Sequence, residues 1–252
     1  MAYIEDEDKL LLSRANDALR IAEDKYVLKT LGFLNPAQRM YIKENLYVPK
    51  DMVVEFEGGY CDAERTVMVC RPEFLEVEGD QYLSVIECSG KYIQNLSHRD
   101  YLGSLMGLGL TRESIGDILV MEDKTLIFTK PENADYIIQN LTKIGRVGID
   151  IKRCLLAETV VPPKKTIEVS GTVASLRLDS VLAVGTRLAR GKAVELIKAG
   201  QVAVNWKIAQ ETDQQVKEGD IFSIRGYGRM TLLKIGCLSN KGRYHITIAR
   251  YM

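Results

Sequence analysis

Residues 177–220 read RLDSVLAVGTRLARGKAVELIKAGQVAVNWKIAQETDQQVKEGD. Apolar residues recur every three to four positions in two short segments, which is typical of helices with one apolar face. The first predicted helix begins around Leu178. The second covers 191–199 and ends at Gly200, a residue suited to a left-handed helix cap. Alternating apolar and polar residues follow, separated by turn residues. This part of the chain therefore predicts two helices followed by β-hairpins.

The chain carries no net charge, but its charges are unevenly distributed. Residues 170–252 hold 13 Lys and Arg against 6 Asp and Glu, whereas residues 1–169 hold 21 against 28. A division of this kind is typical of a module that binds a polyanion and is joined to parts that do not. The basic part of the chain is therefore the predicted nucleic-acid-binding module.

The composition is that of an ordinary globular protein. With 46% apolar and 27% charged residues, it excludes collagen-like, low-complexity and disordered classes. The length of 252 residues predicts two or three domains. The longest nearly apolar stretch, 102–110, is too short to span a membrane, and the acidic start of the sequence is unlike a secretory signal. We therefore expect a cytoplasmic protein that is not inserted in a membrane.

Five cysteines are widely spaced, and no pair has the spacing of a zinc-binding motif. They are Cys61, Cys70, Cys88, Cys154 and Cys237. Their odd number and wide spacing favour neither a disulfide framework nor a metal site. Since each lies within or beside apolar residues, the sequence predicts inert core thiols in a reducing compartment.

The first predicted domain, residues 1–74, is a small α+β unit. Its apolar residues predict a helix from about Leu11 that continues to a stop near Gly32. Asn35 and Pro36 suit the N-cap and the first position of a second helix. The strands that follow are predicted at 53–56 and 66–70.

The second predicted domain, residues 75–160, has the element order βαββαβ. Its strands are predicted at 82–88, 117–121, 124–129 and 147–151, and its helices at 97–108 and 131–144. This order is the ferredoxin-like arrangement that RNA recognition motifs also use. Its third strand carries one aromatic residue, Phe128, and lacks the Arg/Lys-Gly-aromatic signature of base-stacking sheets. The pattern therefore favours a scaffold sheet over one that stacks bases.

Residues 161–169 are predicted to be a linker, because Pro162 and Pro163 stiffen the chain and Lys164 and Lys165 keep it solvated. A strand at 166–173 leads into the third predicted domain, residues 170–252. The predicted fold class is thus α+β multidomain.

Residues 177–220 resemble the S4 RNA-binding domain, named for a small-subunit ribosomal protein. The matching positions are Arg177, Leu178, Asp179, Arg190, Ala193, Ile197, Gly200, Val202, Val204, Asn205, Gly219 and Asp220. Two positions differ from the usual pattern: Ala189 stands where the family usually has Ser, and Trp206 where it commonly has Gly.

Other segments are similar to the YlmH subfamily of S4 proteins. They are Val204-Asn205-Trp206, 225–229, 96–103, 108–109, 115–119, 33–36 and Gln38. The resemblance covers nearly the whole chain. It implies an N-terminal domain, a central RRM-like domain and a C-terminal S4 domain.

The resemblance implies cytoplasmic RNA binding and association with the large ribosomal subunit. The expected partners are rRNA and tRNA, and the expected role is rescue of stalled subunits that still carry peptidyl-tRNA, with a part in adding alanine tails. We expect a monomer. The family also carries a cell-division label, so the alternative is an adaptor that binds cell-division proteins through its acidic first two domains.

Most residues expected to contact RNA are cations. They are Arg177, Arg187, Arg190, Lys192, Lys198, Asn205, Lys207, Arg225, Tyr227 and Arg229. Arginine can bind a phosphate in bidentate fashion, lysine acts as a point charge, and tyrosine offers a stacking face. Two alternatives stay open. Arg177 could instead form a local ion pair with Asp179, and Trp206 could cover the core edge or stack on a base.

No catalytic residue, metal ligand or cofactor is predicted, and we expect a protein that is not an enzyme. His98-Arg99-Asp100 is similar to a kinase catalytic loop, but no Gly-rich nucleotide loop accompanies it. A helix N-terminus capped by Ser97 is favoured instead. Pseudouridine synthases and bacterial tyrosyl-tRNA synthetases also carry S4 domains, but their catalytic motifs do not occur in this sequence.

Overall fold

The computed structural model describes residues 2–162, 166–239 and 242–251, with side chains from residue 6 onward. The chain divides into two compact units, residues 1–161 and residues 162–252. Each unit is described by itself below. Across the described ranges, no helix is both long and apolar enough to cross a membrane.

The first unit begins with two helices packed on a three-stranded sheet. In chain order the elements are α1 (Ala2–Lys25), β1 (Lys29–Leu34), α2 (Pro36–Asn45), β2 (Met52–Glu57) and β3 (Thr66–Pro72). The strands are antiparallel in the order β1-β3-β2. The predicted cap of α2 is confirmed, since Asn35 and Gln38 exchange two hydrogen bonds of 2.9 Å between side chain and backbone.

The prediction that the first helix reaches Gly32 is wrong. Helix α1 ends at Lys25, Tyr26 takes a left-handed backbone conformation with φ 55°, and strand β1 follows. Leu31 faces the helices while Phe33 faces the opposite side of the sheet. The strand is therefore apolar on both faces, and short runs of this kind cannot be told from a continuing helix by periodicity.

The second half of the unit contains a four-stranded sheet. Its elements are β4 (Ser84–Ser89), α3 (His98–Gly107), β5 (Ile115–Val120), β6 (Thr125–Thr129), α4 (Pro131–Asn140), β7 (Lys143–Ile144), β8 (Val147–Gly148) and β9 (Asp150–Cys154). The antiparallel order β5-β6-β4-β9 is the ferredoxin-like order, which confirms the predicted α+β class.

The predicted helix 131–144 is too long. Helix α4 ends at Asn140, and β7 and β8 form a small hairpin around Gly145, whose φ is 57°. Ile144 is buried in the same apolar cluster as α4. In the sequence, Ile144 has the spacing of a further apolar position of the helix. In the structure the backbone leaves the helix after Asn140, and Ile144 reaches the same apolar cluster from the hairpin. The predicted start of α3 is confirmed, because the Asp100 carboxylate accepts the Ser97 backbone N–H at 2.8 Å.

Both faces of the four-stranded sheet are covered. Helices α3 and α4 pack on one face. On the other face Leu126 and Phe128 pack against Phe33, Val67 and other residues of the N-terminal half. Phe128 has no exposed surface. Since the shared core joins 1–74 to 75–160, the sheet acts as a scaffold, as its sequence favours. The boundary between these two predicted domains stays a prediction.

Polar contacts also join the two halves of this unit. The Asp117 carboxylate accepts the Tyr60 hydroxyl at 2.6 Å and the Glu64 backbone N–H at 2.7 Å. The Arg65 guanidinium donates to the Phe33 carbonyl oxygen at 2.7 Å and the Arg112 carbonyl oxygen at 3.0 Å. These contacts satisfy polar groups at the edge of the shared core.

The second unit consists of two helices on a six-stranded antiparallel sheet. Its elements are β10 (Thr166–Val173), α5 (Leu178–Thr186), α6 (Arg190–Lys198), β11 (Val202–Val204), β12 (Lys207–Ile208), β13 (Ile221–Ile224), β14 (Gly228–Leu238) and β15 (Tyr244–Tyr251). The strand order is β10-β15-β14-β13-β11-β12. The predicted helices and hairpins are confirmed. The predicted left-handed cap is also confirmed, because Gly200 has φ 66°. Of the predicted linker, 163–165 lies outside the described residues, and 166–169 already belongs to β10.

The cysteines differ from the prediction of five inert core thiols. Cys70 and Cys88 are buried, but Cys61 and Cys237 are exposed and Cys154 is half-buried. Cys61 lies in the turn between β2 and β3, and Cys237 lies near the end of the long strand β14, away from the core. Their apolar neighbours in sequence therefore did not indicate burial.

Burial of the thiols predicts which of them react. Burial raises the pKa of Cys70 to about 12, and burial together with the Glu87 charge raises the pKa of Cys88 to about 12. Because the thiolate is the reactive form, a maleimide at neutral pH should label Cys61 and Cys237 quickly and Cys70 and Cys88 only after denaturation. Peptide mass spectrometry checks this result. Fast labelling of Cys70 in the native protein would contradict the fold of the N-terminal half.

Candidate nucleic-acid interface

A buried carboxylate lies beneath two of the predicted RNA-binding cations. Asp179, in the first turn of α5, is 2% exposed. It accepts hydrogen bonds from Arg190 at 2.9 and 3.1 Å and from Arg177 at 3.1 and 3.3 Å. The two arginine side chains remain 55% and 34% exposed, respectively. The local ion pair considered for Arg177 is therefore present, and Arg190 shares it. We call these three residues the arginine clamp.

The arginine clamp also sets the protonation of its carboxylate. Burial alone would raise the pKa of Asp179, but the hydrogen bonds and charges of Arg177 and Arg190 outweigh it and hold the pKa below its ordinary value of 3.8. Asp179 is therefore ionised at neutral pH. It fixes two guanidinium groups side by side with their outer edges open to solvent.

The lowered pKa predicts how this unit responds to acid. A carboxyl group with a depressed pKa in the folded state stabilises the protein above its unfolded pKa, and this contribution is lost as the pH falls through the folded pKa. We therefore expect the melting temperature to fall steeply only below about pH 4. Asp179→Asn should lower the free energy of unfolding at pH 7 by roughly 1–3 kcal/mol. The melting temperature of this variant should also depend less on acid. Equal acid dependence in the variant and the wild type would contradict the arginine clamp.

Three further cations lie on α6 or just before it. Arg187 is the C-cap residue of α5, exposed and in a left-handed conformation with φ 59°. Because a side chain is strained there relative to glycine, its presence favours a functional role for the guanidinium. Lys192 and Lys198 are exposed on α6. Lys192 lies 2.8 Å from Glu195, but exposed pairs of this kind are weak, and a phosphate can compete for the ammonium group.

The turn between β13 and β14 lies beside α6. The Arg225 backbone N–H donates to the Gln201 carbonyl oxygen at 3.0 Å, just beyond the end of α6. Tyr227 packs against the apolar cluster that includes Ala193 and Ile197 of α6. Arg225 is exposed, whereas Tyr227 is half-buried and packs against the core of the unit. The turn thus adds an open guanidinium to the cations of α6, with the tyrosine ring only partly open to a base.

Asn205 is engaged within the unit. Its Nδ2 donates to Asp220 at 2.9 Å, and its Oδ1 accepts the Ile221 backbone N–H at 2.9 Å. These two hydrogen bonds show that Asn205 holds the turn, and its predicted RNA contact stays a prediction. Trp206 is half-buried at the second position of that two-residue turn, with φ 64°. Both alternatives for its ring stay open.

The structure tests none of the predicted RNA contacts, and the last two predicted residues lie on β12 and β14. Lys207 is exposed on β12, and Arg229 is half-buried on β14. Their RNA contacts stay predictions.

The contact that sequence reasoning missed is the one between Arg190 and Asp179. The two residues are 11 positions apart, in different helices, so no helical spacing links them. The Arg177-Leu178-Asp179 run signalled only the local half of the arginine clamp.

The resulting arrangement is suited to binding phosphates. Guanidinium groups can form bidentate hydrogen bonds to phosphate oxygens, and the flanking ammonium groups add point charges. Within the part of the chain that the structure describes, no group of three or more His, Cys, Asp or Glu side chains could hold a metal ion. The open cations of this unit thus form a candidate surface for a nucleic-acid backbone.

Comparisons with known proteins find a matching domain model in each unit. The family model described as "Putative RNA-binding domain in YlmH" matches residues 79–158, and the S4 domain model matches residues 176–222. The ribosome-associated protein quality control protein P2 of Bacillus subtilis (strain 168) is 31% identical over 251 residues, which are 98% of this chain and 97% of that protein.

A solved structure is also similar. The cell division protein ylmH from Streptococcus pneumoniae is 25% identical, with a TM-score of 0.51, and the match covers 62% of this chain and 95% of that one. With a relative of this identity matched over almost its whole length, and both domain models found in the expected order, the chain belongs to the YlmH-type family of S4-domain proteins.

Proposed function

We propose that this protein is a cytoplasmic RNA-binding factor of the large ribosomal subunit. It binds rRNA and tRNA through the S4 unit and acts in the rescue of stalled subunits that carry peptidyl-tRNA. The observation that carries the proposal is the arginine clamp, which presents two exposed guanidinium groups beside the cations of α6. The name of the Bacillus subtilis relative, a ribosome-associated quality control protein, supports the same setting.

The proposed mechanism is binding and positioning, without covalent chemistry by any side chain. The S4 unit neutralises phosphates and releases their counterions, which supplies affinity that depends on salt. In any addition of alanine tails, the protein would hold tRNA in place while the ribosome supplies peptidyl transfer. The protein acts as a monomer in this scheme.

A second candidate is an adaptor that binds cell-division proteins. The name of the Streptococcus pneumoniae protein suggests it. So does an exposed aromatic pair on the acidic unit, Tyr26 and Phe74, which are 67% and 71% exposed with ring centroids 6.1 Å apart. Exposed apolar groups that lie together are typical of protein contacts.

Nuclease treatment separates the two candidates. The full-length tagged protein is captured from cells, and half of the sample is treated with ribonuclease before washing. We expect large-subunit proteins and tRNA in the untreated sample and their loss after treatment, because the contacts are made to RNA. If a cell-division protein is retained after treatment and ribosomal material is absent from both samples, the adaptor candidate is correct and the proposal is wrong. Capture with Tyr26→Ser/Phe74→Ser tests the aromatic pair directly.

A further inference from the structure

The central module cannot bind RNA as RNA recognition motifs usually do. Those modules stack bases on the sheet face opposite their helices. Here Phe128 and Leu126 on that face are buried against the N-terminal half, with 0% and 2% of their surface exposed. Base stacking by residues 79–158 at these positions is therefore excluded, and a stacking contact requires another surface.

The helix side of this module carries a group of exposed cations. Lys91 lies in the loop after β4, Arg99 in the first turn of α3, and Lys143 and Arg146 in the β7–β8 hairpin. Among the described residues, none of the four has a carboxylate partner within ion-pair distance. Residues 1–161 as a whole are acidic, with 19 Lys and Arg against 27 Asp and Glu.

Contacts between these three elements bring the segments that carry the cations next to one another. The Gly145 backbone N–H in the hairpin donates to the Ser104 hydroxyl on α3 at 3.3 Å. A Cβ atom added to Gly90, next to Lys91, would lie 3.2 Å from the Gly148 carbonyl oxygen at the end of the same hairpin. Nearby carboxylates include Asp100, which is hydrogen-bonded to Ser97, and Asp150. Glu64 and Asp117 also lie near His98, the neighbour of Arg99.

An exposed aromatic residue lies within this group. Tyr92 is 65% exposed and has a left-handed backbone conformation, with φ 68° and ψ 11°. Ile93, 2% exposed, anchors the loop beside it. A bulky residue in this conformation is a backbone outlier, and such outliers are concentrated at functional sites. Aromatic rings between cations are typical of surfaces that bind single-stranded nucleic acid.

Helix α3 is open to a close approach on its outer face. Gly103 and Gly107 lie in this helix, and a Cβ atom added to either would meet no heavy atom within 4 Å beyond its chain neighbours and the backbone of the helix itself. Packing inside the protein therefore gives no reason for glycine, which weakens a helix relative to alanine. Glycine at these positions lets a backbone from outside approach the helix closely.

We infer that Lys91, Tyr92, Arg99, Lys143 and Arg146 form a second RNA-binding surface, the central basic patch. Its ligand is a single-stranded or looped RNA segment, with phosphates on the cations and a base on the Tyr92 ring. The inference rests on the proposed function, because the same RNA-bearing particle must offer this segment while the S4 unit is bound. The acidic remainder of the unit would keep RNA from the rest of its surface.

A charge-matched pair of variants tests the patch in the full-length protein. The patch variant carries Lys91→Ala, Arg99→Ala, Lys143→Ala and Arg146→Ala. The control variant removes four exposed lysines elsewhere on the same unit, with Lys9→Ala, Lys25→Ala, Lys29→Ala and Lys50→Ala. Binding to purified large ribosomal subunits is titrated at several salt concentrations. We expect the patch variant to bind about tenfold more weakly near physiological salt, with a slope of log K against log salt flatter by about 3–4 units, and the control to resemble the wild type.

Variants of Tyr92 separate RNA stacking from a structural role, because stacking predicts that affinity and melting temperature change in opposite directions. Tyr92→Gly relieves the left-handed strain and should raise the melting temperature, while loss of the stacking face should weaken binding by at least about fivefold. Tyr92→Phe should bind like the wild type. Wild-type affinity of Tyr92→Gly would overturn the stacking assignment.

Failure of this inference can be told from failure of the proposed function. A third variant removes the S4 cations Arg187, Lys192 and Lys198. If this variant binds weakly while the patch variant binds like the wild type, the patch is wrong and the proposed function stands. If neither variant loses affinity, the proposed function is wrong as well. If the patch and control variants weaken binding equally, general charge explains the effect and the patch is overturned.

Discussion

Replacing Arg187, Lys192 and Lys198 together with alanine is expected to flatten the salt dependence of RNA binding by about 2–3 units of log K per log salt. Each phosphate contact releases counterions and contributes roughly 0.7–0.9 to that slope. The loss should be similar for different RNA sequences, because these contacts are made to phosphates. These three side chains are exposed and make no hydrogen bond to the buried Asp179. The fold should therefore survive, because alanine is a good helix former at positions 192 and 198 and is no more strained than arginine at the left-handed position 187.

The measurement is a salt titration of binding to large ribosomal subunits, with thermal melts of each variant. A control variant, Lys217→Ala/Lys234→Ala, removes two exposed cations of the same unit at the other end of the β13–β14 hairpin from Arg225. The control should keep most of the wild-type slope. An unchanged slope in the triple variant, with unchanged melting, would place the RNA surface elsewhere.

Replacing Phe128 with alanine is expected to lower the free energy of unfolding of the first unit by about 3–5 kcal/mol. The ring is fully buried, lies 5.2 Å from the Tyr60 ring between centroids, and belongs to the cluster shared by the two halves of the unit. Because the substitution leaves a cavity between the two halves of the unit, both halves should lose stability together. Denaturant unfolding followed by hydrogen exchange checks this, since exchange should accelerate in β3 as well as in β6.

A surface substitution on the same sheet serves as the control. Val120→Ala, at a residue that is 38% exposed on β5, should cost less than about 1 kcal/mol. If Phe128→Ala accelerates exchange only within residues 75–160, the two halves are independent domains and the shared core does not couple them.

Local sequence patterns correctly predicted helix ends that are marked by capping residues. Asn35 with Pro36 placed the start of α2, Ser97 with Asp100 placed the start of α3, and Gly200 placed the end of α6. The conformations of these positions depend on neighbours a few residues away. Local sequence could therefore indicate them.

Features that depend on distant partners were missed. Strand β1 is apolar on both sides because the helices cover one face and the central sheet covers the other, and neither is visible in its six residues. Coverage of the sheet face at Phe128 likewise depends on residues far earlier in the chain. Within the candidate site, the cations were predictable from composition. Arg190 meets Asp179 only through the packing of α5 on α6.

The central claim is that the S4 unit binds RNA phosphates through the arginine clamp and the cations of α6. The most direct measurement is a cryo-electron microscopy structure of the full-length protein on a large ribosomal subunit with P-site tRNA. The account predicts Arg177, Arg187 and Arg190 within hydrogen-bonding distance of phosphate oxygens, with Asp179 still holding its two arginines. A complex in which this face of the S4 unit points to solvent, or contacts only protein, would contradict it.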